Sequence, residues 1–238
     1  MEDSYPMRVN KYLAHKGYAT RRKADELISA GLVTINGKKA VLGDKVVETD
    51  KVVVDAGTLA AEVGGYVYVA YHKPRGVMSH SAPEGKLDIE DVVKVGVRVS
   101  PIGRLDQDSH GLIILTNDGR VTDRLLNPKY EHEKEYVVKV NKPITENFLS
   151  RFAKGVKIED GITKPAVATG QVGGKTFHLT IVEGKKHQIR RRVPALGSEV
   201  TDLQRVRIMD IRLGNLEAGK WRKIVGTELK SFLSSIGL

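Results

Sequence analysis

Gly103-Arg104-Leu105-Asp106-Gln107-Asp108-Ser109-His110-Gly111-Leu112 runs straight into Ile113-Ile114-Leu115, and this junction decides how the chain is read. The apolar run over residues 112–115 is short and rich in large and β-branched side chains, the pattern of a core strand. The stretch ahead of it is polar with glycine at both ends, so it reads as a loop held by that strand. A carboxylate on a loop anchored to a rigid strand is a common way to aim a catalytic group. Taken alone, the loop reads more simply as a surface turn with two solvated aspartates. Asp106 and Asp108 also stand at a spacing that can share a metal or act as an acid/base pair. No His pair or third carboxylate at ligand spacing accompanies them, which argues against a metal.

Downstream, Asn117-Asp118-Gly119 makes a turn, and residues 120–126 read as a helix stopped by Asn127-Pro128. His132-Glu133-Lys134-Glu135-Tyr136 opens a strand over residues 136–140, which Lys142-Pro143 breaks. Thr145 caps a helix over residues 146–154, closed by Gly155. Residues 156–158, 166–169 and 176–182 are short strands between glycine turns. Glu183-Gly184-Lys185-Lys186-His187-Gln188-Ile189-Arg190-Arg191-Arg192 starts at a turn and continues as a helix to Leu196 and Gly197. Pro194 is expected to shorten or kink its last turn. From Gly184 to Ser198 there are five Lys or Arg and no acidic residue, so this stretch faces either solvent or a polyanion. Residues 206–213 read as one strand, Gly219-Lys220-Trp221-Arg222 as a turn and strand, and residues 227–236 as a terminal helix.

Upstream of the loop, residues 66–71 are a strand candidate running into the turn His72-Lys73-Pro74-Arg75-Gly76-Val77. Residues 88–93 are a short helical or extended piece, and residues 98–102 lead into the loop. Many short antiparallel strands with few helices between them argue an α+β domain over residues 66–238. No Gly-x-Gly-x-x-Gly follows a strand and no phosphate-binding P-loop is present, so nothing marks a nucleotide cofactor.

Residues 57–65 (Gly-Thr-Leu-Ala-Ala-Glu-Val-Gly-Gly) read as a linker, and residues 1–56 as a separate small module. In it, residues 9–16 form a short helix ended by Gly17, and Thr20 caps a second helix over residues 21–30 ended by Gly31. Leu32-Val33-Thr34-Ile35 meets Asn36-Gly37, the strongest short hairpin signal, and residues 51–54 are another short strand. The second helix opens with Arg21-Arg22-Lys23. Cations at a helix N-terminus oppose the macrodipole, which favours a phosphate-binding role over a solvated charged face.

Lys and Arg total 39 against 29 Asp and Glu, a net charge of +10. That excess favours a polyanionic partner, nucleic acid before an acidic membrane surface, since no basic amphipathic helix or lipidation signal is present. Aromatic content of 5% argues against a single-strand binder built on stacking platforms. The chain has no cysteine, which excludes disulfides and thiolate chemistry. With no bilayer-length apolar run and an acidic, polar start, it is expected to be a cytoplasmic protein, acting as a monomer.

Two resemblances sharpen this. Arg8-Val9-Asn10-Lys11-Tyr12-Leu13, Thr20-Arg21-Arg22-Lys23-Ala24 and Gly31-Leu32-Val33-Thr34-Ile35-Asn36-Gly37, in that order, resemble the S4-type RNA-binding domain. The resemblance implies that Arg8, Lys11, Arg21, Arg22 and Lys23 contact phosphates. Four further matches occur in order: Lys73-Pro74-Arg75-Gly76; Gly103-Arg104-Leu105-Asp106 with Ser109 and Gly111-Leu112; Lys134-Glu135-Tyr136; and Glu183-Gly184 with Gln188-Ile189-Arg190-Arg191. Together with the S4-like module they resemble the RsuA-type pseudouridine synthases of ribosomal RNA; residues 132–136, Lys142-Pro143-Ile144-Thr145 and Arg207-Ile208-Met209 most resemble the large-subunit type F branch. That implies a cofactor-free isomerisation of an unpaired or flipped-out uridine, in ribosomal RNA (most simply 23S) or a tRNA. Asp106 is implied as nucleophile, Arg190 as its cationic partner, and Tyr136 as the ring that stacks on the base and takes the C5 proton. Lys73, Arg75, Arg104, Lys185, Lys186 and Arg191 are implied as further RNA contacts. His187 has no motif partner and is read as RNA-facing or solvated. Arg192, where the family usually has an apolar residue, then Pro194 and Ser198, depart from its pattern. The competing readings are a non-catalytic S4-domain assembly factor and a two-carboxylate hydrolase acting on nucleic acid.

Overall fold

The structure is a computed structural model and describes residues 5–16, 18–19, 21–55 and 65–238. The expected Gly17 stop, the Thr20 cap and all but Gly65 of the expected linker lie outside the described residues. The described chain falls into two compact units, one running to Val67 with Thr116–Thr122, the other comprising Tyr68–Leu115 and Asp123–Leu238.

The first unit contains β1 (Met7–Arg8), α1 (Val9–His15), α2 (Arg21–Ser29), β2 (Val33–Ile35), β3 (Lys38–Lys39), β4 (Lys45–Val46) and β5 (Val52–Val54). Val9 and Leu13, four residues apart on α1, bury with Ala24, Leu27 and Ile28 of α2 and with Val33, Val46 and Val54. Asn36 (φ 51°) and Gly37 (φ 79°) both take the left-handed conformation that a two-residue hairpin turn between β2 and β3 needs. The Asn36 side chain adds a hydrogen bond to Asp50 (2.8 Å) and accepts one from the Lys51 N–H (2.9 Å), locking the turn to the start of β5. The antiparallel pairing of β1 with β4 was not visible in the sequence, because each strand is two residues long.

The second unit is built on β6 (Tyr68–Lys73), α3 (Ile89–Val92), β7 (Ser100–Ile102), β8 (His110–Thr116), α4 (Arg120–Leu126), β9 (Lys134–Val140), α5 (Glu146–Ala153), β10 (Lys157–Ile158), β11 (Gly161–Ile162), β12 (Val167–Gly170), β13 (Thr176–Ile181), α6 (Gln188–Arg192), β14 (Val200–Ile208), β15 (Ile211–Arg212), β16 (Trp221–Lys223) and α7 (Gly226–Ser235). β8 and α4 straddle the division between units. Nine of these strands form one sheet in the order β12-β13-β9-β14-β8-β6-β16, with β15 on β14 and β7 on β8. The ladders from β12 to β14 are antiparallel, and β14 meets β8 in parallel. Leu112, Ile113, Ile114 and Leu115 of β8 have no exposed surface, as their continuous apolar run requires. α5 covers one face: Phe148 and Phe152 pack edge-on to each other, and Phe148 meets Phe177 of β13 edge-on.

Three elements differ from their sequence reading. Residues 206–213 are not one strand: β14 turns at Met209 (φ 49°) and returns as β15, pairing Arg207 with Arg212. The left-handed position is a methionine, so no glycine or asparagine announced the hairpin. β6 runs on through His72 and Lys73, and the turn begins only at Pro74. α6 stops at Arg192, and Pro194 opens a separate 3-10 turn (Pro194–Leu196), where a missing N–H costs nothing.

Candidate active site

The loop between β7 and β8 is pinned through its backbone. The Leu105 N–H donates to Ser79 Oγ (2.9 Å) while that hydroxyl donates to the Leu105 carbonyl (2.7 Å), both in the interior. The Gly76 N–H donates to the Gln107 carbonyl (2.9 Å), and Gln107 Nε2 returns a bond to the Gly76 carbonyl (3.1 Å). The Ser109 N–H closes the turn on the Asp106 carbonyl (3.0 Å). At the start of β8, Gly111 (φ 110°) lets β14 approach so closely that a Cβ there would stand 2.3 Å from the Arg205 carbonyl oxygen. The Asp106 carboxylate surmounts this scaffold with 34% of its side-chain surface exposed.

Cations lie beneath and beside the loop. Lys73 was expected to face RNA. Instead it has no exposed surface, and its ammonium donates to the carbonyls of Val77 (2.7 Å), Pro74 (3.0 Å) and Gln107 (3.4 Å). A buried cation at the end of a strand ties the β6 turn to the loop and cannot reach a phosphate. Burial lowers its pKa to about 8, against the pull of Asp106 and Asp108, which favours the charged form. Lys134 is lowered to about 8 as well, by burial first and then by Arg205, and donates to the His132 carbonyl (3.1 Å). Arg205 is 4% exposed; its Nε donates to the Leu112 carbonyl (2.7 Å) and its Nη1 to the Arg104 carbonyl (3.3 Å).

α6 supplies the opposite wall. Its start is fixed by Gln188, whose Oε1 accepts the Lys185 N–H (3.1 Å) and whose Nε2 donates to Glu183 (2.5 Å). Glu183 also accepts the Lys164 N–H (2.9 Å), which gives the Glu183, Gly184 and Gln188 pattern a physical basis. Arg190 was expected to pair with Asp106. Its Nη2 instead donates to the Asp108 carbonyl (3.3 Å) and to Ser109 Oγ (3.3 Å), so it grips the loop and not the carboxylate. The group beside Asp106 is His187, with Nε2 3.4 Å from Oδ1 and the residue held in a left-handed conformation (φ 50°) ahead of the helix. Tyr136, 8% exposed on β9, shares one buried cluster with Leu105 and Ile189, the neighbours of Asp106 and Arg190. Arg192 faces inward with no exposed surface; it lies over the Phe152 ring (4.9 Å) and donates to the Phe152 (3.3 Å) and Lys164 (3.4 Å) carbonyls. That inward packing is how the helix accommodates a cation at an apolar position.

Among the remaining residues expected to meet RNA, Arg8, Lys11, Arg21 and Arg22 are exposed on the first unit, and Lys23 pairs with Glu26 (3.4 Å). Arg104 and Lys186 are exposed, and Lys185 is half-buried. Arg75 is paired with Asp202, which also accepts from His110 Nε2 (2.9 Å). Burial alone would raise the Asp202 pKa, but hydrogen bonds from Arg75 and His110 outweigh it and hold the carboxyl below its usual value. Arg191 is committed to Asp160 (2.6 Å). Among the described residues no group of three or more His, Asp or Glu is arranged to hold a metal ion, and no helix is long and apolar enough to cross a membrane.

Sequence reading missed Ser79 and Arg205 and set His187 aside. Ser79 carries no pattern, and Arg205 lay just ahead of a segment read as an ordinary strand. His187 becomes informative only once α6 and the loop are brought together.

Comparison with known proteins bears on the family and the fold. Residues 67–194 match the family described as RNA pseudouridylate synthase, and residues 7–52 match the S4 domain. The dual-specificity RNA pseudouridine synthase RluF of Salmonella typhi is 41% identical over 223 residues, covering 93% of this chain and 77% of the relative. The ribosomal large subunit pseudouridine synthase B of Bacillus subtilis is 39% identical, covering 94% of each. A crystal structure of a pseudouridylate synthase superposes with a TM-score of 0.69 at 28% identity, over 97% of this chain and 99% of that one.

Proposed function

Because this chain belongs to the RNA pseudouridylate synthase family, an isomerase class acting on RNA, we propose that it converts a uridine of ribosomal RNA, in the large subunit, to pseudouridine with Asp106 as nucleophile. The observation that carries the assignment to Asp106 is its support. The loop backbone around it is hydrogen-bonded by Ser79, Lys73, Arg190 and Arg205, while its own carboxylate stays accessible. Such a group is pre-organised, which is what a nucleophile needs. Asp108 is exposed in the same loop, and the side chain that meets a loop carboxylate, His187, does so at Asp106.

In the proposed step the carboxylate attacks C1′ of a flipped-out uridine. The N1–C1′ bond breaks and its electron pair stays on the uracil. The uracil turns, C5 bonds to C1′ and the carboxylate leaves. The C5 proton is lost and N1 gains one, so the balance is an isomerisation. Tyr136, on the strand beside the loop, is proposed to stack on the base and accept the C5 proton. Arg190 supplies positive charge beside the loop backbone, and His187 sets its Nε2 beside the attacking carboxylate. The basic face of the first unit, with Arg8, Lys11, Arg21 and Arg22 exposed, is proposed to hold structured RNA by its phosphates.

The test is pseudouridine mapping of total RNA from cells with and without the protein. The expected result is the loss of a discrete site in 23S RNA, restored by the protein added to deproteinised RNA. Unchanged maps with RNA binding intact would favour a non-catalytic assembly factor, and abasic sites or strand breaks would favour a hydrolase.

A further inference from the structure

We propose that Arg205 is the positioning residue of the catalytic loop, a single guanidinium that ties both ends of the loop to β14, beside Tyr136 of the neighbouring strand. The inference rests on the reading of Asp106 as nucleophile.

Three observations converge on it. The first is register. On β14, Arg205 stands opposite Tyr136 of β9 on one side and Gly111 of β8 on the other. Directly opposed residues share a face of the sheet, so the arginine lies beside the tyrosine, over a position with no side chain. The second is bonding. Nε takes the Leu112 carbonyl (2.7 Å) and Nη1 the Arg104 carbonyl (3.3 Å), the two residues that bracket the loop. Ser79 and Lys73 hold the middle of the loop from the β6 side, at Leu105 and Gln107. Among the described residues, Arg205 alone is bonded to both of its ends. The third is the strand itself. The β14–β9 ladder shifts register between Arg205 and Arg207, an irregularity immediately after the residue in question. Bulges beside active sites re-aim a side chain, and here the aim is along the loop.

Fold stability alone does not explain this residue. Arg205 is 4% exposed and, among the described residues, has no carboxylate within ion-pair distance. Its Nη2 has no hydrogen-bond partner. An unpaired buried cation costs stability that an apolar side chain of similar size would not. What an apolar residue cannot do is address two carbonyls in different directions from one rigid plane.

The experiment compares the intact protein with Arg205→Gln and Arg205→Lys. It measures single-turnover pseudouridine formation on a deproteinised 23S fragment, RNA affinity, and amide hydrogen exchange over residues 104–112. For Arg205→Gln, the rate is expected to fall on the order of 10²-fold, as small misplacements of reacting groups do, with RNA affinity held within about twofold. Exchange over residues 104–112 should quicken while α1 and α2 keep theirs. Arg205→Lys, which can serve one carbonyl at a time, should recover about tenfold of the loss. A parent-like rate in Arg205→Gln overturns the proposal. So does rate and affinity falling together with loop exchange unchanged. If Arg205→Gln does not fold, Arg205→Lys carries the decision: a parent-like rate in it refutes the role, and a reduced rate at full affinity supports it. A parent protein that forms no pseudouridine defeats the reading of the site instead, and loop exchange in the variants still decides what Arg205 holds in place.

Discussion

Lys73 shows how one side chain can be misread by its charge and understood by its surroundings. It is a cation with no exposed surface, stabilised by three carbonyls, one of them from the catalytic loop. A neutral amine has two N–H donors and a lone pair, so it cannot serve three acceptors. Deprotonation should therefore loosen the loop, and conversion should fall as pH rises through about 8, the lysine's lowered pKa. Its linkage to stability has the opposite sign. Between about 8 and 10.5 the unfolded lysine still holds a proton that the folded one has lost. The stability this group contributes is thus full above 10.5 and is lost as pH falls through 8. Rate and unfolding free energy, measured across that window in Lys134→Arg to remove the second lysine with a pKa near 8, should move in opposite directions. A flat rate, or a limb that disappears in Lys134→Arg, contradicts the role given to Lys73.

The β8–β14 junction is the element on which the site depends, and its parallel pairing is close because Gly111 has no Cβ. Gly111→Ala must place a methyl 2.3 Å from the Arg205 carbonyl at a φ of 110°. Backbone strain and overpacking of this kind cost about 2–5 kcal/mol together. Urea denaturation should show a loss of that order, with most of the activity gone; a midpoint equal to the parent's would mean that β14 yields freely. The sequence made much of this element legible. The apolar run Leu112-Ile113-Ile114-Leu115 between glycine and Asn117-Asp118-Gly119 reads as a core strand, and in the first unit Asn36-Gly37 marks the β2–β3 hairpin as plainly. The β14–β15 hairpin was not legible, because a left-handed Met209 leaves no compositional trace. The ordered motifs pointed to Asp106, Tyr136 and Arg190. The partners that hold the loop, Ser79 and Arg205, act through backbone carbonyls and amides, and such bonds leave no spacing to read.

For the whole molecule, a net charge of +10 and an exposed basic face on the first unit are the features proposed to govern RNA binding. Replacing Arg21, Arg22 and Lys23 with Ala should leave the fold intact and flatten the log–log salt dependence of affinity by about 2–3, since each phosphate neutralised contributes about 0.7–0.9. An unchanged slope would remove this face from the RNA contact. Those residues are proposed to set how tightly RNA is held, whereas the isomerisation itself is assigned to one carboxylate. The direct test is single-turnover pseudouridine formation on a deproteinised 23S fragment by Asp106→Asn, with Asp108→Asn as control and RNA affinity measured alongside. Asparagine keeps the size of the side chain and removes its charge, so binding should persist. Conversion by Asp106→Asn should fall by many orders of magnitude, while Asp108→Asn keeps substantial activity. A near-parental rate in Asp106→Asn, or Asp108→Asn as the inactive variant, would contradict the account.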